Sequence, residues 1–387
     1  MKFGTIASVD GYPRQLNLPN LLKKKSFFLL GPRACGKSWL IRNQLAHARQ
    51  YNLLEPRTYT RLLQHPEAIG EDVGADLIII DEVQKLPKLL DEVHRLIEES
   101  GKRFLLTGSS ARKLRRGNAN MLAGRAWIAE MFPLATVEIP NFNLATYLTR
   151  GGLPAVLSSV DYEEDLHSYC ATYLQEEVRA EALTRHVDAF ARFLTVVALC
   201  NGHLVDYAGL SRDTGIQAKT IRNYVEIAKD TLIAFEVPAF RKSLSRKAIA
   251  SSKLFLFDVG VVGTLAKRGP IAEGSELFGR AFEHFIALEL RAYLSYRRKR
   301  LDLAHWRSLS QLEVDFVVGD QLAIEVKSTT HITSADLKGL RALREEGLIR
   351  DFAAISRDPV KRTIDGISIW PWREFVSELW ADRLGIS

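Results

Sequence analysis

Long apolar runs are missing from this 387-residue chain. The longest, Phe27–Leu30, Leu77–Ile80 and Phe193–Leu199, fall far short of the roughly 18–20 residues a membrane-spanning helix needs. No membrane association is expected. Met1–Arg14 carries no apolar core of the kind a leader peptide has, so no targeting segment is expected either. Cysteine is scarce: Cys35, Cys170 and Cys200 are scattered singly, which supports neither a disulfide framework nor a paired-cysteine metal knuckle. A reducing, cytoplasmic setting is the expectation. A strong charge imbalance is also lacking, since the net charge of +7 is small against 26% charged residues. Its clusters, Lys23–Lys25, Arg112–Arg116, Arg241–Lys253 and Arg297–Arg300, suit an acidic partner, and each is equally well explained as solvated surface.

What the chain does have begins at Gly31. Its length suggests two or three domains with ample material for cores. After the apolar Phe27–Leu30, the segment Gly31-Pro32-Arg33-Ala34-Cys35-Gly36-Lys37-Ser38, followed by Trp39, fits G-x-x-x-x-G-K-[ST]. An apolar strand that turns at a glycine and re-enters as a helix leaves backbone N–H groups converging on one hollow, which suits phosphate. Gly31 and Gly36 allow the turn, Lys37 reaches the β- and γ-phosphates, and Ser38 is placed to hold Mg²⁺.

Asp76–Ile80 then runs apolar into Asp81-Glu82. Such a run reads as a buried parallel strand that delivers acids at its carboxyl end, where open α/β sheets bind ligands. Asp81 is expected on Mg²⁺ and Glu82 on the attacking water, with the acids also serving as helix caps. A third strand, Arg103–Thr107, ends in hydroxyls. Thr107 and Ser109 are both candidates for sensing the γ-phosphate, and for the serines an N-cap role is the alternative. Arg125, in Leu122-Ala-Gly-Arg125, is a candidate to act on ATP held by a neighbouring subunit, with a surface ion pair as the alternative. That role implies a homo-oligomer, plausibly a ring.

These motifs together resemble the prokaryotic AAA+-type ATPase family whose C-terminal half is a domain of unknown function. Gly151-Gly-Leu-Pro154, Leu256-Phe-Asp258-Val-Gly260 and Glu313-Val-Asp315-Phe-Val resemble the same family further along. The resemblance implies that the C-terminal half is similar to a restriction-endonuclease-like, PD-(D/E)xK, fold. Ala34-Cys35 and Ser38-Trp39 depart from the family's usual residues without removing a phosphate or metal group.

Beyond the Gly151-Gly152 break, Glu163–Leu183 and Val187–Asn201 have helical periodicity and read as a lid and connector. Tyr207–Thr214 and Ala218–Lys229, joined at Gly215, read as a helix-turn-helix with Leu210, Ile216, Ile221 and Val225 inside. Outside are Gln217, Lys219, Thr220, Arg222, Asn223 and Glu226, types that touch phosphates and base edges, and Thr231–Phe240 is expected as a wing. A packing module is the alternative.

Farther on, Phe278–Leu294 is expected as a helix carrying Glu283, and Glu313–Val318 and Leu322–Lys327 as a hairpin around Gly319–Gln321. With a three-residue loop Val318 pairs with Leu322, so Asp315, Glu325 and Lys327 share a face; a two-residue loop breaks the set. Glu283, Asp315 and Glu325 would hold one or two Mg²⁺, with Lys327 beside the attacking water. Three carboxylates this close demand a cation among them, a divalent ion or a lysine.

The expected architecture is α/β: a P-loop AAA+-type domain over 1–150, a helical lid with a winged helix-turn-helix over 151–250, and an α+β nuclease-like domain over 251–387. The expected function is ATP-dependent action on DNA with a candidate metal-dependent nuclease. The rivals are an ATP-switched signalling or defence regulator bound to a protein, and a DNA-binding ATP motor with an inactive nuclease fold.

Overall fold

The structure is a computed structural model that describes residues 11–71, 76–109, 121–173, 187–241 and 249–387. Gly74, Ser110, the Arg112–Arg116 cluster, most of the Arg241–Lys253 cluster and the second half of the helix expected over Glu163–Leu183 lie outside these residues.

The first unit is a five-stranded, wholly parallel sheet. Its strands are β1 (Ser26–Leu30), β2 (Arg49–Asn52), β3 (Leu77–Asp81), β4 (Arg103–Gly108) and β5 (Ala126–Glu130), in the order β2-β3-β4-β1-β5. The helices α1 (Leu18–Leu22), α2 (Lys37–Gln44), α3 (Pro56–Gln64) and α4 (Leu89–Ser100) connect and cover it. Period-two alternation explains why β1, β3 and β4 are apolar throughout. Phe28, Leu30, Ile78, Ile80, Phe104 and Leu106 pack under Leu89, Leu90, Val93 and Leu96 of α4. Phe27, Leu29, Ile79 and Leu105 enter a second core with Leu40 and Ile41 of α2. A strand buried on both faces has no place for a polar side chain until its end.

The helices α5 (Leu144–Arg150), α6 (Pro154–Ser158), α7 (Tyr162–Ser168), α8 (Val187–Leu199), α9 (Tyr207–Thr214) and α10 (Ala218–Asp230) follow. After them β6 (Ala234–Val237) pairs antiparallel with β7 (Lys253–Leu256), and α11 (Val259–Leu265) closes the unit. Leu254 and Leu256 of β7 and Val261 and Val262 of α11 share a core with the preceding helices. The division expected at residue 250 therefore falls between two strands of one small sheet.

The last unit contains α12 (Glu276–Tyr296), β8 (Leu303–Arg307), β9 (Glu313–Val318), β10 (Leu322–Val326), α13 (Lys338–Arg344), β11 (Asp351–Ser356), β12 (Arg362–Ile364), β13 (Ile367–Pro371) and α14 (Trp372–Trp380). Its six-stranded mixed sheet has the order β12-β13-β11-β10-β9-β8. α12 is capped by Ser275, whose side chain accepts from the Phe278 N–H. Phe278, Phe282 and Phe285 of α12 pack on Phe316, Ile324 and Ile355 of one sheet face, each fully buried phenyl contributing about 2 kcal/mol. Leu340 and Leu343 of α13 cover the other face. Phe132, Ala135, Tyr147 and Leu148 join the α12 core, so the chain leaving the first sheet is built into the last unit.

Candidate functional site

The segment between β1 and α2 is clamped at both ends. Gly31 N–H donates to Gly108 O at 3.3 Å, and Met131 N–H donates to Leu30 O at 2.7 Å. A Cβ on Gly31 would stand 2.4 Å from Met131 O, so only glycine fits. Gly36 has φ +97° and caps α2 without a side chain, which leaves the first-turn N–H groups of α2 open to an anion. The buried Lys37 ammonium lies within the loop, donating to Gly31 O at 2.6 Å and Pro32 O at 3.0 Å. Ser38 is exposed at the second position of the helix and Trp39 is half-buried.

Parallel pairing brings the acids to the same sheet edge. Asp81 ends β3 and Thr107 lies near the end of β4, which separates β3 from β1. The Thr107 hydroxyl donates to Asp81 Oδ1 and accepts from Glu82 N–H at 3.2 Å. Glu82 itself has φ +58°, a left-handed conformation costly for a non-glycine residue. Of the two hydroxyl candidates, Thr107 bonds both acids, whereas Ser109 reaches Glu82 through Gln84. Gln84 Nε2 donates to Glu82 Oε2 and, at 3.2 Å, to Ser109 Oγ. The sequence reading assigned Gln84 no role; its place two residues after Glu82 on a buried turn was the available signal. This edge fits a nucleotide triphosphate with Mg²⁺: Lys37 and the loop N–H groups would hold phosphates, Ser38 and Asp81 the ion.

Arg14 was also missed. Its buried guanidinium donates to Cys35 O in the loop at 2.8 Å, to Phe132 O at 2.7 Å, to the Tyr296 hydroxyl at 3.0 Å and to Glu138 Oε1 at 3.1 Å. A lone arginine after proline offered no signal, because its four partners are between 21 and 282 residues away. The Tyr169 hydroxyl donates to Arg33 O at 3.2 Å, a further contact on the loop from the middle helices.

Arg125 is elsewhere. It immediately precedes β5, which runs parallel to β1, and so stands at the sheet edge opposite the loop, bonded to Glu98. It does not serve the loop of its own chain.

Between α9 and α10, Gly215 takes φ +69° at the turn, and Leu210, Ile216, Ile221 and Val225 are all buried. Gln217, Lys219, Arg222, Asn223 and Glu226 are exposed and Thr220 is half-buried. The Arg222 guanidinium stacks 4.1 Å from the Tyr207 ring.

The hairpin adopts the three-residue register: Leu322 pairs with Val318 and Ile324 with Phe316, which sets Glu325 beside Asp315. Glu283, Asp315, Glu325 and Lys327 do converge, but around a lysine. Lys253 Nζ, its side chain 4% exposed, lies 2.8 Å from Glu313 Oε1, 2.9 Å from Glu283 Oε1 and 3.2 Å from Asp315 Oδ1. Asp315 Oδ2 accepts from Val326 N–H at 2.8 Å, and Lys327 Nζ is 2.5 Å from Glu325 Oε1. Glu283, Asp315 and Glu325 were expected around Mg²⁺; in this structure the Lys253 ammonium stands against Glu283 and Asp315. Glu283 Oε1, both oxygens of Asp315 and Glu325 Oε1 each contact an ammonium or amide group, and among the described residues no group of three or more His, Cys, Asp and Glu is arranged for a metal ion. Burial opposes the Lys253 ammonium, yet Glu283, Asp315 and Glu313 outweigh it and hold its pKa well above the usual lysine range. Burial, then the Asp315 charge, pushes Glu325 up. Lys253 arrives from β7, far from the hairpin in sequence, and pairs there with Val237.

Residues 23–139 match a protein-family model described as an AAA domain. Residues 141–271 and 278–375 match two models described as domains of unknown function, DUF8612 and DUF4143. An uncharacterized protein of Mycobacterium tuberculosis, Rv2008c, is 26% identical over 314 residues, covering 78% of this chain and 70% of its own. An uncharacterized protein of Methanocaldococcus jannaschii, MJ1544, is 24% identical over 345 residues, covering 76% and 74%. The crystal structure of protein VC1899 from Vibrio cholerae aligns over 93% of this chain and 97% of its own at 13% identity, with a TM-score of 0.23, too low to carry an argument. Among the described residues no helix is long and apolar enough to cross a membrane. The AAA-domain match over residues 23–139 supports an AAA-type ATPase family.

Proposed function

We propose that this chain is an ATP-hydrolysing switch that acts on DNA through its helix-turn-helix. The observation that carries the ATPase reading is the single sheet edge joining the Gly31–Ser38 loop, Lys37, Asp81 and Glu82 through Thr107. Lys37 would neutralise phosphate charge, Asp81 and Ser38 would hold Mg²⁺, and Glu82 would orient the attacking water. The DNA reading rests on the exposed Gln217, at the N-cap of α10, and the exposed Lys219, Arg222 and Asn223 of α10 over a buried inner face. In it β6 and β7 are the strands of a wing, and the helices before α9 are a lid. The C-terminal sheet with α12 is read as a nuclease-like fold, and Lys253 among its acids favours the form that does not cleave. Arg125 is assigned to a neighbouring subunit's site in a homo-oligomer, and the setting is cytoplasmic.

ATP hydrolysis measured with and without DNA tests the whole reading, alongside a DNA titration against salt. Binding is expected at low salt and should weaken by about 0.9 log unit per tenfold salt for each phosphate contacted. Arg222→Ala and Lys219→Ala should each flatten that slope. No binding of linear or branched DNA at low salt would remove the DNA reading and leave an ATP-switched regulator of a protein partner.

A further inference from the structure

We infer that Lys253 is the resident cation of the C-terminal carboxylate cluster, standing where a divalent metal would otherwise stand. Its ammonium contacts one oxygen each of Glu283, Glu313 and Asp315 within 3.2 Å. Those residues come from α12 and β9, so two elements converge on one cation. The remaining acid, Glu325, has a side chain 8% exposed, is bridged on Oε1 by Lys327, and has a buried Oε2 without a hydrogen-bond partner among the described residues. The cluster is therefore a set of acids whose central positive charge is attached covalently to the chain. Close carboxylates that are all ionised need a positive charge among them, and the buried ammonium supplies it at the cost of its own dehydration, which Glu283, Asp315 and Glu313 outweigh.

The same lysine is a joint. It lies on β7 of the middle unit, while its partners lie on the last unit. His284, one residue after Glu283, fastens the same junction: burial lowers it to about 3, and its neutral ring contacts Leu256 O, at the end of β7, at 2.7 Å. The inference goes beyond the ATPase and DNA readings and stands whether or not they hold.

Mn²⁺ alone is the probe, titrated calorimetrically into the full chain without nucleotide, with Asp315→Asn as the control that localises any signal. The native chain is expected to show no Mn²⁺ binding that Asp315→Asn removes. Lys253→Ala, which vacates the central position and keeps all four acids, is expected to gain a Mn²⁺ site, seen as calorimetric binding and as a melting temperature raised by millimolar Mn²⁺. Lys253→Ala with Asp315→Asn should lose that gain. Asp315-dependent Mn²⁺ binding by the native chain would overturn the inference, as would a folded Lys253→Ala protein that gains no site. Should Lys253→Ala fail to fold even with Mn²⁺, the native-chain titration decides alone: absent binding upholds the inference and Asp315-dependent binding ends it.

Discussion

At the scale of single residues, the loop and the acids have separable duties. Lys37 sits inside the loop against two carbonyls, so Lys37→Ala is expected to abolish nucleotide binding. Glu82→Gln spares the phosphate contacts and is expected to keep ATP affinity while slowing hydrolysis roughly 10²–10⁴-fold. Equilibrium binding and turnover measured on both proteins check this, and normal turnover in Glu82→Gln would end the assignment of the attacking water to Glu82. Thr107 offers a second test. Its hydroxyl is shared between Asp81 and the Glu82 amide, so Thr107→Val leaves a buried carboxylate oxygen and a strained residue's N–H without that partner. A stability loss of about 1–3 kcal/mol is expected, together with slowed turnover at unchanged ATP affinity. Urea unfolding and steady-state kinetics read the two effects independently.

At the scale of elements, the turn at Gly151-Gly152 depends on one buried carboxylate. Asp258 Oδ2 accepts from Gly152 N–H at 2.7 Å, and Oδ1 accepts from Gly260 and Val261 N–H at 2.9 and 3.0 Å, which joins the end of α5 to the start of α11. A Cβ on Gly151, whose φ is +78°, would meet Asp258 Oδ1 at 2.0 Å, so the approach requires glycine. Burial raises Asp258 from 3.8 to about 6, although the three amides pull it back. The folded chain thus holds this proton more tightly than the unfolded one. Its contribution is complete below about pH 4 and is lost as pH rises through 6, on the order of 3 kcal/mol. Asp258→Asn cannot titrate, so the stability of the native chain relative to this variant should decline between pH 4 and 7. Urea unfolding at several pH values measures it, and a difference independent of pH would show that Asp258 is not the titrating group.

At the scale of the whole molecule, the loop and the C-terminal unit are connected by α12. Tyr296 at its end accepts from Arg14, which also holds the loop at Cys35. Glu283 lies thirteen residues earlier on the same helix, about 20 Å away at 1.5 Å per residue. Arg125 faces outward on the other edge, paired with Glu98 and one-third exposed, where an ion pair is worth little and is readily exchanged. If it completes a neighbour's site, Arg125→Ala and Lys37→Ala should each be inactive alone and recover hydrolysis when mixed, because one supplies the loop and the other the arginine. Full activity of Arg125→Ala by itself would rule out that role.

The sequence by itself determined the parts whose chemistry is local. A glycine-bounded turn between an apolar strand and a helix, an apolar run ending in Asp81-Glu82, and two short helices around Gly215 are set by backbone sterics and side-chain periodicity within a few residues. The hairpin around Gly319–Gln321 was legible too, but its register stayed open between two- and three-residue loops, and only the need to bring Asp315 and Glu325 to one face favoured the three-residue form that is found. β5 went unread, because Ala126–Glu130 alternates weakly and earns its place only by pairing with β1. Arg14, Lys253 and the outward position of Arg125 were decided by tertiary structure alone. Each depends on contacts made across long stretches of chain or on the direction of a distant strand, and a cation buried among acids looks in sequence like any other surface lysine.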